Sequence, residues 1–392
     1  MESLRTSIHS SIKTIEKDDW NACSLAELGE KNPFLSYDFF NLLETSGSIG
    51  KGTGWQPFYI LFFEKDLLVG IIPGFLKSHS QGEYVFDHSW ADAYQRAGGT
   101  YYPKLQIAIP FTPVTGERVF IRTGYKEKYI SLMFSIAKDI IIDNGISSIH
   151  ITFCTKELSE VAESNQILTR EGIQYHWYNK NYSTFNDFLN NLSSRKRKNI
   201  RKERTEANYF GGKIYQLRGK DITSNHLKAF WFFYQDTGNR KWGIPYLTKN
   251  FFMALKNEMA DKVLLVLAEK DGEYVAGALN FIGDKVLYGR YWGCKYYYPS
   301  MHFELCYYQA IDFAIKNGLD RVEAGAQGDH KIARGYLPNT TYSSHWFGHK
   351  GFLSAVEKFL QEEKKLIRIH EDELQFVSPF KKGESLNEKK IQ

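Results

Sequence analysis

Behind the strand-like run Arg321 to Gly325, the chain sets Gln327, Asp329, His330, Lys331 and Arg334 within eight positions, separated by small residues such as Ala326 and Gly328. A polar site at the end of a strand needs such a mixture. Lysine, arginine and glutamine donate to a developing oxyanion, while histidine and aspartate move protons. A salt-bridged surface loop is the plainer reading of the same residues. His302 and Glu304 stand some thirty residues earlier, in the first turn of an expected helix with apolar positions Phe303, Cys306, Tyr307, Ala310 and Ala314. Either could accept a proton. Glutamate is also welcomed there by the helix dipole, so capping alone accounts for Glu304. His302, Glu304, Asp329 and His330 could be assembled around a metal, but their spacing is not that of a known ligand set, and no metal is expected.

Three further groups belong to this inventory. The strand Val286 to Gly293 places Tyr288, Arg290 and Trp292 on one face, with Gly289 and Gly293 on the other, where a ligand or a neighbouring segment could approach closely. Alternation in Gly82 to Trp90 likewise predicts a strand with Glu83, Val85 and Asp87 on one face, its two carboxylates either exposed or functional. Between Arg195 and Arg204, seven of ten residues are basic, behind Ser193 and Ser194, which predicts a serine-capped helix. Such a run is a solvated face or an anion-binding ridge, and Arg197, Lys198 and Arg201 are its candidate phosphate contacts.

These residues need a framework, and the chain writes it twice, about 205 residues apart. Tyr59 to Gly70 and Leu264 to Gly277 each read as strand, charged turn and returning strand. Each is followed by a further strand, an amphipathic helix ending in Asn-Gly, and another strand: Ile136 to Ile151 in the first copy and Ala310 to Ala324 in the second. Only the first copy carries an insertion, of about 30 residues, between Ile71 and Pro113. It contains the stiff loops Tyr101 to Lys104 and Pro110 to Gly116. Residues 33 to 46 suit an amphipathic helix opening on Pro33. The glycine-rich stretch Gly47 to Gly54 lacks the Gly-Lys-Ser/Thr ending of a phosphate loop and is expected to be a connector.

Composition narrows the class. At 392 residues, 43% hydrophobic and 24% charged, the chain suits two globular domains, divided here as 1–180 and 181–392 with the break near 176 to 188. The 16% aromatic content fills two cores or lines pockets. A net charge of +5 does not by itself imply nucleic acid. Cys23, Cys154, Cys294 and Cys306 are widely spaced, without a C-x-x-C pair, which argues against a disulfide framework or zinc knuckle and suits a reducing compartment. No secretory pattern opens the chain and no run approaches a membrane span, so a cytoplasmic protein is expected. Serine-hydrolase, zincin, Walker A and dinucleotide fingerprints are absent from the sequence.

The segments Asn32 to Ser36, Gly82 to Asp87, Tyr101 to Leu105, Pro110 to Gly116, Arg197 to Glu203, Tyr288 to Gly293, His302 to Glu304 and Gly325 to Lys331 together resemble the FemAB-like predicted N-acyltransferases, a bacterial group linked to peptidoglycan biosynthesis or recognition. The resemblance runs from about residue 30 to 360. It implies an α/β (α+β) fold of two tandem GNAT-like domains, each a mixed, mostly antiparallel sheet flanked by helices. In acyl-CoA transferases of that superfamily, a glycine-rich turn after the fourth strand offers N–H groups to the pyrophosphate of coenzyme A. Tyr296 to His302, the corresponding stretch, has no glycine, and Glu304 would repel a pyrophosphate there. The related Fem peptidyltransferases share this departure and take aminoacyl-tRNA, which would give the Arg195 to Arg204 ridge a purpose.

The expected function is therefore N-acyl transfer from acyl-CoA or aminoacyl-tRNA, used as co-substrate with no tightly bound cofactor, to a small-molecule or peptide amine such as a cell-wall precursor. The assigned catalytic residues are His302 or Glu304 as proton acceptor and Lys331, with Arg334, as oxyanion or phosphate stabiliser. Glu83, Asp87, Arg290, Trp292, Gln327, Asp329, His330 and Arg334 are substrate-binding candidates, and Arg197, Lys198 and Arg201 face donor phosphates. Two alternatives stand beside this reading. One is a non-catalytic module that binds a cell-wall peptide or RNA; the other is general RNA binding through the basic ridge.

Overall fold

The structure is a computed structural model that describes residues 4–25, 31–241, 245–325 and 328–381. The chain forms two compact units. Unit 1 comprises residues 1–172, 246–251 and 340–368, and unit 2 comprises 173–245, 252–339 and 369–392. The division drawn from sequence is a single cut at 180, whereas here two later segments return to unit 1.

The first half of the chain runs β1 (Arg5–His9), α1 (Lys17–Ser24), α2 (Tyr37–Thr45), β2 (Trp55–Glu64), β3 (Leu67–Lys77), α3 (His88–Arg96), β4 (Lys104–Ile107), β5 (Phe120–Ile121), α4 (Lys126–Asp143), β6 (Ser148–Cys154), α5 (Lys156–Ser164) and β7 (Leu168–Tyr178). The second half runs α6 (Phe185–Asn191), α7 (Ser194–Asn208), β8 (Lys213–Arg218), α8 (Ser224–Lys241), α9 (Lys249–Glu258), β9 (Val263–Lys270), β10 (Glu273–Ile282), β11 (Val286–Cys294), α10 (Met301–Phe303), α11 (Gln309–Lys316), β12 (Arg321–Glu323), β13 (Leu337–Phe347) and α12 (Lys350–Phe376).

The repeat seen in the sequence is a repeat of topology. In unit 1 the strand order is β1-β2-β3-β4-β6, antiparallel except for the parallel pair β4/β6. In unit 2 the order β8-β9-β10-β11-β12 repeats it, with β11/β12 as the parallel pair. A parallel neighbour requires a crossover, and α4 and α11 provide it. Each sheet then gains one antiparallel strand from the other half of the sequence: β13 pairs with β6 (Ser344 opposite Ile151), and β7 pairs with β12 (Val322 opposite Trp177). The last strands of the two repeats are thus exchanged.

Local chemistry explains the elements. The β9/β10 hairpin turns on Asp271-Gly272, both with positive φ, the backbone that an Asp-Gly pair accommodates best. Thr184 and Asp187 form a reciprocal capping box at the start of α6. The helix expected from Pro33 onward begins later. Pro33–Leu35 is a 3₁₀ turn, Ser36 turns extended, and its hydroxyl accepts from the Phe39 amide at the head of α2. Gly47 to Gly54 is a connector, with four glycines at positive φ. In unit 1, Ile60, Phe62, Ile72, Leu105, Met133 and Ile149 lie in one core. In unit 2, Leu264, Ala276, Leu287, Leu305, Tyr308 and Trp177 lie in another.

Candidate active site

Unit 2 holds most of the chemistry, and β11 sets its geometry. On that strand Leu279 faces Tyr291 and Asn280 faces Gly289, so Arg290 is the extra residue of a β-bulge. The strict alternation that put Tyr288, Arg290 and Trp292 on one face is interrupted there, as bulges do where a side chain is re-aimed. The glycines do admit close neighbours. A Cβ on Gly293 would lie 2.2 Å from the Phe233 carbonyl oxygen of α8, and one on Gly289 would lie 3.2 Å from the Glu323 carbonyl oxygen.

After β11, Tyr296 to Ser300 lead into α10. Ser300 takes positive φ and donates its hydroxyl to Glu206 of α7 at 2.5 Å. The helix does not continue regularly, because Glu304–Tyr308 is a π-helical segment between α10 and α11. Extra-wide turns of this kind change which side chains share a face. Glu304, fully buried, meets α7, where Arg204 donates to both its oxygens at 3.0 and 3.2 Å and Gln309 adds a third donor at 2.8 Å. Arg204 also holds Asp312 at 2.6 Å. His302, by contrast, sits among rings: 5.1 Å from Trp292, 5.4 Å from Tyr307 and 6.1 Å from His330, centroid to centroid. The helix therefore separates its two candidate proton acceptors. Glu304 is committed to arginine, whereas His302 lines a cavity of about 350 Å³ with Trp292, Tyr296, Tyr297, Tyr298 and Phe303.

The polar loop after β12 closes on the same cluster. Asp329–Arg334 forms a 3₁₀ turn between Gly328 and Gly335, both at positive φ. His330 is exposed, and its Nε2 lies 3.0 Å from the Tyr307 hydroxyl. Arg334 makes a bidentate pair with Glu203 at 2.6 and 3.1 Å, donates to the His330 carbonyl at 2.7 Å and lies 3.4 Å from the Phe303 ring centre. Glu203 also accepts from the Tyr308 hydroxyl. Lys331 is buried, donates to the Gly325 carbonyl at 3.1 Å and lies 5.6 Å from the Tyr175 ring. Burial pushes its ammonium down to about 8, a fall that Cys306 opposes and the nearby Arg290 charge assists. Glu304 is pushed up by burial despite Arg204. Burial pulls Arg204 down, but Glu304 and Asp312 prevail and raise it.

The structure thus brings Arg290, Trp292, His302, His330, Lys331 and Arg334 into one neighbourhood. Gln327 lies outside the described residues, as does the side chain of Asp329. The basic run is the helix α7, but Ser193 makes no side-chain capping bond. Arg197 reaches Asn190 at 3.4 Å, while Lys198 and Arg201 are exposed and make no ion pair among the described residues.

Glu83 and Asp87 belong to unit 1, and the strand expected around them is absent. Gly82 and Tyr84 both take positive φ, which breaks the extended run, and Asp87 ends it at the head of α3. The two carboxylates are nevertheless brought together, by Lys104, whose Nζ meets Glu83 Oε2 at 2.7 Å, Ser80 Oγ at 3.0 Å and Asp87 Oδ2 in a very short contact. Lys77 stands 3.8 Å from Glu83 Oε1 and 3.7 Å from the Trp55 ring centre. Burial lifts Glu83 to about 7 and lowers Lys77 to about 7. Burial also opposes the charges on Asp87 and Lys104, but Lys104 outweighs it for Asp87, which is lowered, and Glu83 and Asp87 together outweigh it for Lys104, which is raised. From Asp87 the network continues through the Tyr101 hydroxyl to His150 and His345, whose Nδ1 atoms are 2.8 Å apart. Lys77, His150 and His345 carry no sequence signal of their own, and Lys104 and Tyr101 stand out in the sequence only as parts of a stiff loop.

A family model for FemAB-like proteins, described as peptidoglycan biosynthesis/recognition, matches residues 11–382. The chain belongs to the FemAB-like family. The crystal structure of FemX matches with a TM-score of 0.54 at 11% identity, over 90% of this chain and 100% of that one. A DUF2156 domain from Agrobacterium fabrum matches at 0.53 and 8% identity, over 88% and 96% of the two chains, and L-PGS from Bacillus licheniformis at 0.50 and 10%, over 85% and 99%. At such identities the likeness is one of fold. With the repeated strand order, it gives this FemAB-like protein the expected tandem GNAT-like α/β fold. No curated protein sequence matches the chain. Among the described residues, no helix is long and apolar enough to cross a membrane, and no group of three or more His, Cys, Asp or Glu side chains could hold a metal ion.

Proposed function

We propose that this FemAB-like protein is an aminoacyltransferase that takes its acyl group from an aminoacyl-tRNA and gives it to a primary amine, such as that of a cell-wall peptide. In this reaction the amine nitrogen attacks the ester carbonyl, a C–N bond forms, the C–O bond to the ribose breaks, and the amine's proton passes to the leaving oxygen. The protein needs to supply one charge for the oxyanion and one proton acceptor. Lys331 is the charge: a buried ammonium with few competing partners stabilises an oxyanion more strongly than a solvated one does. His302, facing the cavity, is the proton acceptor. Glu304 and Glu203 are positioning residues that fix the π-helical segment and Arg334 against α7.

The observation that carries the choice of donor is the charge distribution at α10 and α7. Where a pyrophosphate would sit, the helix opens on Ser300, which is bonded to the Glu206 carboxylate. Next to it, α7 presents Arg195, Lys196, Lys198, Arg201 and Lys202 with no ion pairs among the described residues, a surface matched to a nucleic-acid backbone.

The test is transfer of a radiolabelled amino acid from bulk charged tRNA to a lysine-containing peptide. Incorporation is expected with the native protein, falling about 100-fold or more in Lys331→Ala. Transfer from acetyl-CoA but not from charged tRNA would overturn the donor. Saturable peptide binding with no transfer from either would leave a binding module instead.

A further inference from the structure

We infer that the solvent-facing side of α12 is an interface between two copies of this chain, paired antiparallel about a two-fold axis that passes between Ile367 and Arg368. The helix, Lys350–Phe376, buries Val356, Leu360 and Leu374 on one side. On another it holds Phe359, Leu366, Ile369 and Phe376 in solvent, 46%, 68%, 57% and 90% exposed. Successive spacings of seven, three and seven residues are those of a coiled-coil seam, so the four side chains form one stripe, about 25 Å long at 1.5 Å per residue. Soluble monomers rarely leave so continuous an apolar surface uncovered.

Charge selects a second copy as the occupant. Helical spacing puts Lys358, Lys365 and Asp372 along one flank of the stripe and Glu363 and His370 along the other. Turning one helix end over end on another brings like flanks together. Lys365 then faces the second copy's Asp372, Glu363 faces its His370, and both pairs recur by symmetry. The same axis stacks Phe359 on the second copy's Phe376 and Leu366 on its Ile369, so a single axis position satisfies all four pairings. A parallel pair would instead set Lys365 against His370 and each of the stripe's glutamates, Glu362 and Glu373, against itself. The antiparallel pair sets Glu362 against the second copy's Glu373, a repulsion softened within each helix by Lys365, 2.7 Å from Glu362, and by His370, 3.8 Å from Glu373. Those two carboxylates and the run Glu371-Asp372-Glu373 disfavour a lipid surface, which takes helices with an uninterrupted apolar face and a basic polar one.

The experiment is sedimentation velocity of the full chain from about 1 to 100 μM. The native protein is expected to reach twice the mass of the chain at the upper end of that range. Leu366→Asp/Ile369→Asp changes two exposed side chains, should leave the circular dichroism intact, and is expected to weaken the dimer at least about tenfold. Lys365→Asp and Asp372→Lys should each weaken it severalfold, and the two combined should restore it, because the swap regenerates the pair across the axis. Glu362→Gln/Glu373→Gln should tighten it. A native chain that stays monomeric throughout overturns the inference, as does a dimer that survives Leu366→Asp/Ile369→Asp or a combined charge swap no tighter than its singles. A monomer that instead co-sediments with phosphatidylglycerol vesicles, and loses this in Leu366→Asp/Ile369→Asp, overturns it in favour of a lipid surface.

Discussion

Replacing Lys331 by methionine is expected to make the protein more stable as it makes it inactive. Burial holds the ammonium at about 8 instead of its ordinary 10.5, which at about 1.36 kcal/mol per tenfold corresponds to roughly 3 kcal/mol of unfavourable free energy at neutral pH. Methionine fills the same space without a charge. It loses the hydrogen bond to the Gly325 carbonyl, worth about 1 kcal/mol, and Gly325 is partly exposed, so water can replace the donor. A net gain of about 2 kcal/mol remains, or roughly 4–8 °C in the melting of a unit of this size. The sign of the pH dependence is fixed as well. Below pH 8 both folded and unfolded Lys331 carry the proton and the penalty is complete; between about 8 and 10.5 only the unfolded chain binds it, so native stability rises with pH. Calorimetry of both proteins from pH 7 to 10 should therefore show the advantage of Lys331→Met shrinking as the pH rises. A variant less stable than the native protein at pH 7, or a difference that does not move with pH, would refute the claim that Lys331 is a charge held at a cost for function.

Three other perturbations test the two units separately. Lys104→Met leaves Glu83 and Asp87 buried without their shared cation, so unit 1 should lose about 3–5 kcal/mol by urea unfolding, and less at pH 5 than at pH 8, because protonating Glu83 relieves the strain. Gly293→Ala forces a methyl against the Phe233 carbonyl and should lower the melting of unit 2 by the equivalent of about 1–3 kcal/mol or more, while Gly272→Ala, with open space around its Cβ, should cost only the strain of its positive φ. Arg197→Glu/Lys198→Glu should leave the circular dichroism unchanged and weaken RNA binding, with the slope of log K against log salt falling by about 0.7 for each phosphate no longer neutralised.

What can be read from the sequence is what neighbouring residues decide. Both hairpins, the helices that follow them and the strands after those helices appear in the expected order, because alternation, turn residues and helical spacing are local signals. The exchange of β7 and β13 between the two sheets has no local signal; it rests on pairings such as Ile151 with Ser344, nearly two hundred residues away. Gly82 to Trp90 reads wrongly as a strand because the period-two pattern of Glu83, Val85 and Asp87 is indifferent to backbone hand, and two residues at positive φ fold that stretch into a turn that delivers both carboxylates to one lysine.

The same distinction explains the site. The polar run from His330 to Arg334 and the pair His302 and Glu304 stand out as reactive side chains at an element's end, and reactivity is a property of residue type. Which of them can react is a property of partners. Glu304 is held by Arg204 and Gln309, through a π-helical segment that no periodicity announces, while Lys331 is buried, with its ammonium lowered first by that burial. The basic run has a double nature for the same reason. At its end Glu203 and Arg204 turn inward to hold Arg334 and Glu304, and the lysines and arginines before them face solvent. A polyanion lying along α7 would therefore press on the helix that fixes both the loop of Lys331 and the segment of His302. On the proposed function, a donor bound along α7 would be felt at both groups through the Glu203–Arg334 and Arg204–Glu304 pairs.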